Sequence, residues 1–261
     1  MKTYENIHDA YVNTLADVYD NPDYVAEPRG QRTREKLNYQ FCVTDPTVEP
    51  IRTFDLKRNE VIKDYTAKEM ALYDSCTDDV EDFAEASKFW LRLQNPDGTV
   101  NSAYGALIWE KKSYGNPNFE LDKEIREAAG QYPVEVWHAK RTPWQWCKES
   151  LLKDKDTRQA VLHFNLPEHA WVGVKDFTCT MYGIFLIRDN KINLTISMRS
   201  NDLTLGLVYD LSWFVSLMYK MRDELKEMYP DLGIGTYTHF VNSLHIYDRD
   251  QEKILKMLGR V

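Results

Sequence analysis

The chain predicts an α+β fold, a mixed sheet packed with helices, in a single domain spanning residues 1–261. Three observations carry this. Asp189-Asn190 sits between two runs rich in β-branched and aliphatic residues, Met181 to Arg188 and Lys191 to Arg199, the pattern of a tight hairpin. Between Asp210 and Tyr229, the residues Leu211, Phe214, Val215, Leu217, Met218, Met221 and Leu225 recur at helical spacing. The segments mix without a βαβ rhythm, and no Pro/Gly/Ser-rich linker or internal repeat divides them.

Taken in order, residues 4 to 19 form an amphipathic helix, followed by a loop at Asn21-Pro22 and the polar segment Pro28 to Glu35. Pro22, Pro28, Pro46 and Pro50 suggest extended connections there. Thr66-Ala-Lys-Glu69 has the capping-box pattern ahead of an apolar run, which starts a helix at Thr66. A further helix covers Val80 to Leu93 and ends before Asn95-Pro96-Asp97-Gly98. Pro143 to Lys153 is helical and leads into a strand over Ala160 to Phe164. In the second hairpin strand Ile192, Leu194, Ile196 and Met198 fall on one face, and Asn193, Thr195, Ser197 and Arg199 on the other. Phe240 to Tyr247 reads as a strand in which Val241, Ser243, His245 and Tyr247 share a face.

A chain of 261 residues, 43% hydrophobic and 13% aromatic, can bury a large core. Its formal charge of -8 argues against coating a nucleic acid polymer, which needs a basic surface, whereas a free nucleotide needs only a few arginines. Cys42, Cys76, Cys147 and Cys179 are widely spaced, with no CxxC pair and no histidine cluster, so free thiols, no metal and a cytoplasmic location are expected. The charged N-terminal segment carries neither a signal-peptide core nor a membrane span.

Two groups could do chemistry. Cys179 lies between Thr178 and Thr180 at the start of a strand, which places its sulfur near an edge or cleft, although a free cysteine is also a common core residue. Arg199-Ser200-Asn201-Asp202 closes the hairpin, and a guanidinium fork beside a hydroxyl suits a phosphate. The same four residues also fit a solvated strand end with an internal ion pair.

The segment LIRDNKINLTISMRSNDLTLGLVYD, with DFTCT before it and SLHIYDR after it, resembles the thymidylate synthase superfamily, and within it the pyrimidine-nucleotide hydroxymethylases. The resemblance is strong from Arg158 to Arg249 and weaker through Glu69 and VNSAYGALIW. It implies that Cys179 is the nucleophile, Glu69 the general acid/base, Tyr104 an active-site tyrosine and Asp210 the reader of the base. It places Arg199 and Ser200 on the phosphate and His245 and Tyr247 on the sugar 3′-hydroxyl, with Arg29 and Arg32 as candidates for a mobile phosphate-binding arginine. Trp90, Asp202 and Gly206 fall at the folate. Arg158 matches an arginine lent across a homodimer interface to the partner's phosphate.

Departures from the synthases sharpen the reading. The chain has Thr178-Cys179-Thr180 in place of proline-cysteine-histidine, Gln159 after Arg158 in place of a second arginine, and Asp210 where uracil-specific members have asparagine. A carboxylate accepts from the cytosine amino group, whereas an asparagine amide serves uracil. At Asp210 a helix N-cap, and at Glu69 a capping box, are the plain alternatives. The resemblance therefore implies transfer of a one-carbon unit from 5,10-methylenetetrahydrofolate to C5 of dCMP or CMP, finished by water. The rival readings are a dCMP or dUMP 5-methylase and a non-catalytic nucleotide-binding relative.

Overall fold

A computed structural model describes residues 1–115 and 140–261. The elements are β1 (Lys2–Tyr4), α1 (Ile7–Asp20), β2 (Tyr24–Ala26), β3 (Thr33–Val43), α2 (Leu56–Ser75), α3 (Val80–Ala86) and α4 (Pro143–Lys153). After them come β4 (Val161–His163), β5 (Thr180–Arg188), β6 (Lys191–Asp202), α5 (Val208–Leu225), β7 (Gly233–Tyr247) and α6 (Gln251–Met257). The strands form one mixed sheet in the order β1-β3-β7-β6-β5-β4, with β2 on β3.

The hairpin forms because Asp189 and Asn190 both take left-handed backbone, φ 49° and 56°, as a two-residue hairpin turn requires. Neighbouring β6 and β7 run parallel, so the chain must cross the sheet between them, and α5 makes that crossover. This is one βαβ unit in a chain whose sequence showed no such rhythm. It explains why α5 is apolar almost all round: Leu211, Trp213, Phe214, Val215, Leu217, Met218 and Met221 are all buried.

Four local expectations change. Helix α2 starts at Leu56, capped by Asp55, whose carboxylate accepts from Arg58 N at 3.1 Å. Thr66 and Glu69 therefore lie inside a helix begun three turns earlier, and Thr66 Oγ1 finds no partner. Helix α3 stops at Ala86 because Ser87 is extended, and Trp90–Arg92 form a separate 3-10 turn. The supposed extended connection after Pro28 contains the eleven-residue strand β3, paired antiparallel with β7. Its polar first half hid the alternation.

The fourth change concerns strand phase. The buried positions jump from Met198 to Asn201 in β6 and from Val241 to Leu244 in β7, at the level where Met198 pairs with Val241 and Asn201 with Leu244. On the other side of β7, Asn38 of β3 has φ 53° and its Oδ1 accepts from Asn242 Nδ2 at 3.0 Å. Val241 thus belongs to the core, while Ser243, His245 and Tyr247 turn away from it. The break turns the polar ends of β6 and β7 out of the core.

Close backbone approach sets one side of the interior. A Cβ on Gly105 would lie 1.7 Å from Tyr73 O on α2. Replacing Gly105 by alanine forces α2 away from the segment carrying Tyr104, and is expected to cost about 3 kcal/mol or more. Thermal unfolding checks this, with a midpoint lowered by about 10 °C.

Candidate active site

Cys179 sits where β5 begins, its carbonyl accepting from Arg199 N on β6 at 2.9 Å. A register irregularity between Thr180 and Tyr182 loosens the strand beside it. Arg199 Nη2 donates toward Cys179 Sγ at 3.4 Å, Nε donates to Thr178 O at 3.1 Å, and Nη2 also reaches Phe177 O. The guanidinium lies 4.9 Å from the Phe177 ring centre. Burial pushes the Cys179 thiol up, and the Arg199 charge opposes that shift. Next to it, Thr180 Oγ1 donates to the buried Tyr104 hydroxyl at 2.9 Å.

The segment before the cysteine is clamped by residues that carried no sequence signal. Asp176 is buried, its carboxylate accepting from Ser102 N at 2.6 Å and Ser102 Oγ at 2.5 Å. Asn101 Nδ2 donates to Asp176 O at 2.7 Å. Asp176 lies close enough to Cys179 to raise its thiol further. Only the fold brings residues 101 and 102 to position 176.

Two buried carboxyls lie close enough for the charge of one to act on the other. Glu69, on α2, is 8% exposed and accepts from Tyr65 OH at 3.0 Å. Burial first and the nearby Asp210 second push its carboxyl up to about 8. Asp210, in the first turn of α5, caps nothing, because the N-cap position is Leu207; its Oδ2 instead accepts from Asn201 Nδ2 at 3.0 Å. Burial raises the Asp210 carboxyl to about 6, with the Asn201 bond opposing. Gly206 packs against this pair: a Cβ there would lie 2.4 Å from Asn201 Oδ1 and 3.3 Å from Asp210 Oδ2. Asn201, adjacent to Ser200 in the sequence, has its Oδ1 buried without a partner.

The remaining candidates divide. Ser200 pairs with Ser243 across β6 and β7, and His245 meets Tyr247 edge to face at 5.4 Å. Burial raises the Tyr247 hydroxyl, Asp202 and Cys179 add to the rise, and Arg249 and Arg29 oppose it. Arg29, left-handed at φ 54°, acts electrostatically on both Cys179 and Tyr247, whereas Arg32 is ion-paired to Asp248 at 3.1 Å. Arg158 is exposed ahead of β4 and makes no hydrogen bond or ion pair among the described residues. Asp202 Oδ1 accepts from Thr204 N at 2.7 Å and Leu205 N at 3.3 Å, holding the turn that carries Gly206. Trp90 Nε1 donates to Tyr65 OH at 2.9 Å. Phe89, 49% exposed, and Leu205, 46% exposed, adjoin Trp90 and Gly206 and give each a bare apolar neighbour.

His239 stays outside this chemistry: it is fully buried, bonded to Tyr237 OH at 2.7 Å, and burial lowers it to about 3. A separate groove lined by Cys76, Asp97, Glu110 and His169 contains none of the candidates. Among the described residues no group of three or more His, Cys, Asp or Glu could hold a metal ion. None of the described helices is long and apolar enough to cross a membrane.

A cysteine beside an arginine, two buried carboxyls and a polar strand pair invite comparison with known proteins. The family profile described as thymidylate synthase matches residues 9–261. The chain belongs to the thymidylate synthase family. It is 27% identical over 234 residues to the deoxycytidylate 5-hydroxymethyltransferase of Enterobacteria phage T6, covering 87% of this chain and 80% of that protein. It is 24% identical to the deoxyuridylate hydroxymethyltransferase of Bacillus phage SP01, covering 95% of this chain and 60% of that protein. Thymidylate synthase A of Bacillus subtilis superposes with a TM-score of 0.67 at 15% identity, over 98% of this chain and 85% of that one, and shows the shared fold.

Members of the thymidylate synthase family bind a nucleoside monophosphate and use methylenetetrahydrofolate as co-substrate. The site offers features that fit both. Guanidinium groups such as those of Arg199 and Arg29, and a hydroxyl such as that of Ser200, are chemically suited to a phosphate. The exposed Phe89 and Leu205 offer apolar surface for a ring system, and the bare Gly206 lets its backbone pack directly on Asn201 and Asp210, where any side chain would clash.

Proposed function

We propose that this protein transfers a one-carbon unit from 5,10-methylenetetrahydrofolate to C5 of a cytosine nucleotide, dCMP or CMP, and completes the reaction with water to give the 5-hydroxymethyl nucleotide. The observation that carries the reading is the carboxylate of Asp210, buried within electrostatic reach of Glu69 and held through one oxygen by Asn201. Its other oxygen is left to accept from an amino group, which cytosine has and uracil lacks.

In this reading Arg199, Ser200 and Arg29 hold the phosphate, and His245 and Tyr247 hold the sugar. Cys179 thiolate adds to C6 of the base and makes C5 nucleophilic, splitting one hard step into easier ones. The folate supplies the one-carbon unit, against the wall of Trp90, Asp202 and Gly206, while Tyr104 supports the cleft through Thr180. C5 bonds to the one-carbon unit and loses its proton; the bond from that carbon to the folate nitrogen then breaks, tetrahydrofolate leaves with the electron pair, and an exocyclic methylene remains on the nucleotide. Glu69 takes a proton from water as the oxygen bonds to the methylene carbon. The electron pair of that methylene returns to the ring, the sulfur leaves C6, and no oxidant or reductant is consumed.

A homodimer is part of the proposal. Helices cover one face of the sheet, whereas Tyr182, Ile184, Thr195 and Phe240 on the other face stay partly exposed. Arg158, exposed and without a partner among the described residues, is the side chain proposed to reach a second copy's phosphate.

Mass spectrometry of the product after incubation with dCMP, CMP or dUMP and methylenetetrahydrofolate tests the reading. A hydroxymethyl gain on a cytosine nucleotide is expected, without dihydrofolate absorbance. A methyl gain with dihydrofolate would move the protein to the methylases, and no product from any nucleotide would leave a binding protein.

A further inference from the structure

The geometry points to Tyr65 as a positioning residue that orients Glu69 and keeps it ready to take the proton of the attacking water, an inference that rests on the reaction proposed above. Tyr65 lies one helical turn before Glu69 on α2, so the two side chains share a face. Its hydroxyl stands between Trp90 Nε1, at 2.9 Å, and Glu69 Oε1, at 3.0 Å.

The chemistry of the three groups fixes the direction of both bonds. An indole N–H can only donate, so Tyr65 must accept from Trp90, and the single hydroxyl hydrogen is committed to Glu69. Oε1 must then present a lone pair. The Tyr73 hydroxyl also bonds this carboxyl, and any proton on it is directed away from Oε1, to Oε2. That oxygen is the one left to exchange a proton with water.

The hydroxyl cannot drift. The Tyr65 ring packs against Tyr209 with centres 4.5 Å apart. Tyr209 OH accepts from Arg58 Nη2 at 2.7 Å, and the same nitrogen donates to Thr204 O at 3.1 Å. If Tyr65 served only to satisfy the indole, its own proton could go to any acceptor; here it goes to the carboxylate whose ionisation the water step requires.

The other ionisable groups around Glu69 are Tyr73 on α2 and Asp210 and Tyr209 on α5. Burial and Asp210 hold the Glu69 carboxyl up at about 8, and the bonds from Tyr65, first, and Tyr73 pull it down. A donor to a carboxylate favours the charged form, so deleting it raises the group further and shrinks the ionised fraction at neutral pH.

Tyr65→Phe removes the hydroxyl and keeps the ring. The first measurement is a carbon-13 carboxyl titration of ligand-free protein by NMR, with Glu69 identified by its loss in Glu69→Gln. Tyr65→Phe is expected to move the Glu69 midpoint up by about one pH unit. The second is the pH profile of hydroxymethyl product formation. The variant should be about tenfold slower at pH 7 and converge on the wild type at alkaline pH, with KM for the nucleotide unchanged. A titration that does not move, or a rate loss equal at every pH, would overturn the positioning role in an otherwise working enzyme. A shifted titration in a protein that makes no hydroxymethyl product would overturn the water step and the reaction, and leave only the pairing.

Discussion

Replacing Cys179 by alanine is expected to abolish turnover, by on the order of 10⁴-fold or more, while nucleotide binding survives. The reasoning starts from position. Sγ lies 3.4 Å from Arg199 Nη2, and that guanidinium is itself fixed by the carbonyls of Phe177 and Thr178. The remaining thiols cannot substitute, because Cys42 and Cys147 are buried in the core and Cys76 lies in a different groove. Nucleotide affinity should persist, since the proposal assigns the phosphate and sugar to other side chains, and calorimetry with dCMP checks it.

The same cysteine has a pH signature. Burial raises the thiol above its ordinary range and Arg199 opposes the rise, so in the free protein the thiolate fraction grows as pH climbs into the alkaline region. Alkylation of Cys179 by iodoacetamide, followed peptide by peptide, should accelerate with pH. An alanine variant that still released the C5 proton of the nucleotide would sink the nucleophile assignment.

Asp210→Asn is expected to reverse the preference between cytosine and uracil nucleotides, changing the ratio of their kcat/KM values by roughly 10⁴-fold. A site built on hydrogen bonds rejects the wrong partner because a buried polar group is left unpaired. Asn201 already occupies Oδ2 of Asp210, so the second oxygen has to serve the base. As a carboxylate it accepts from the cytosine amino group; as an amide the residue can donate to uracil O4 and accept from N3–H. With Asp210 near 6, the carboxylate form dominates at pH 7.5 and declines below pH 6, so cytosine selectivity should weaken in acid. Competition between dCMP and dUMP, read by product mass, measures the ratio directly. An unchanged ratio would mean that the base is read elsewhere.

Parts of the fold were plain in the residues. The Asp189-Asn190 turn, the helix Pro143–Lys153 and the alternating strand from Lys191 depend on contacts close in sequence, so local pattern suffices for them. The capping-box motif at Thr66 misled because the pattern is equally at home inside a helix already started by Asp55. The polar half of β3 and the early stop of α3 had no local signature, since each is settled by what packs beside it. The site shows the same division. Glu69, Cys179, Arg199 and Asp210 stood out by resemblance, whereas Tyr65, Asn201, Ser102 and Asp176 became visible only through the partners they touch.

What the sequence alone determined is therefore chemical type: an α+β chain resembling the thymidylate synthase family, with a thiol and carboxylates at the positions that resemblance singles out. The tertiary structure decided how those groups are disposed. It showed that α5 crosses between two parallel strands and that β6 and β7 shift their buried face at the same level. It also showed that burial holds both carboxylates near neutrality, with Asp210 adding to the rise at Glu69. The physical reason is that a side chain's identity is written locally, whereas its proton affinity and its reach depend on desolvation and on neighbours distant in the chain.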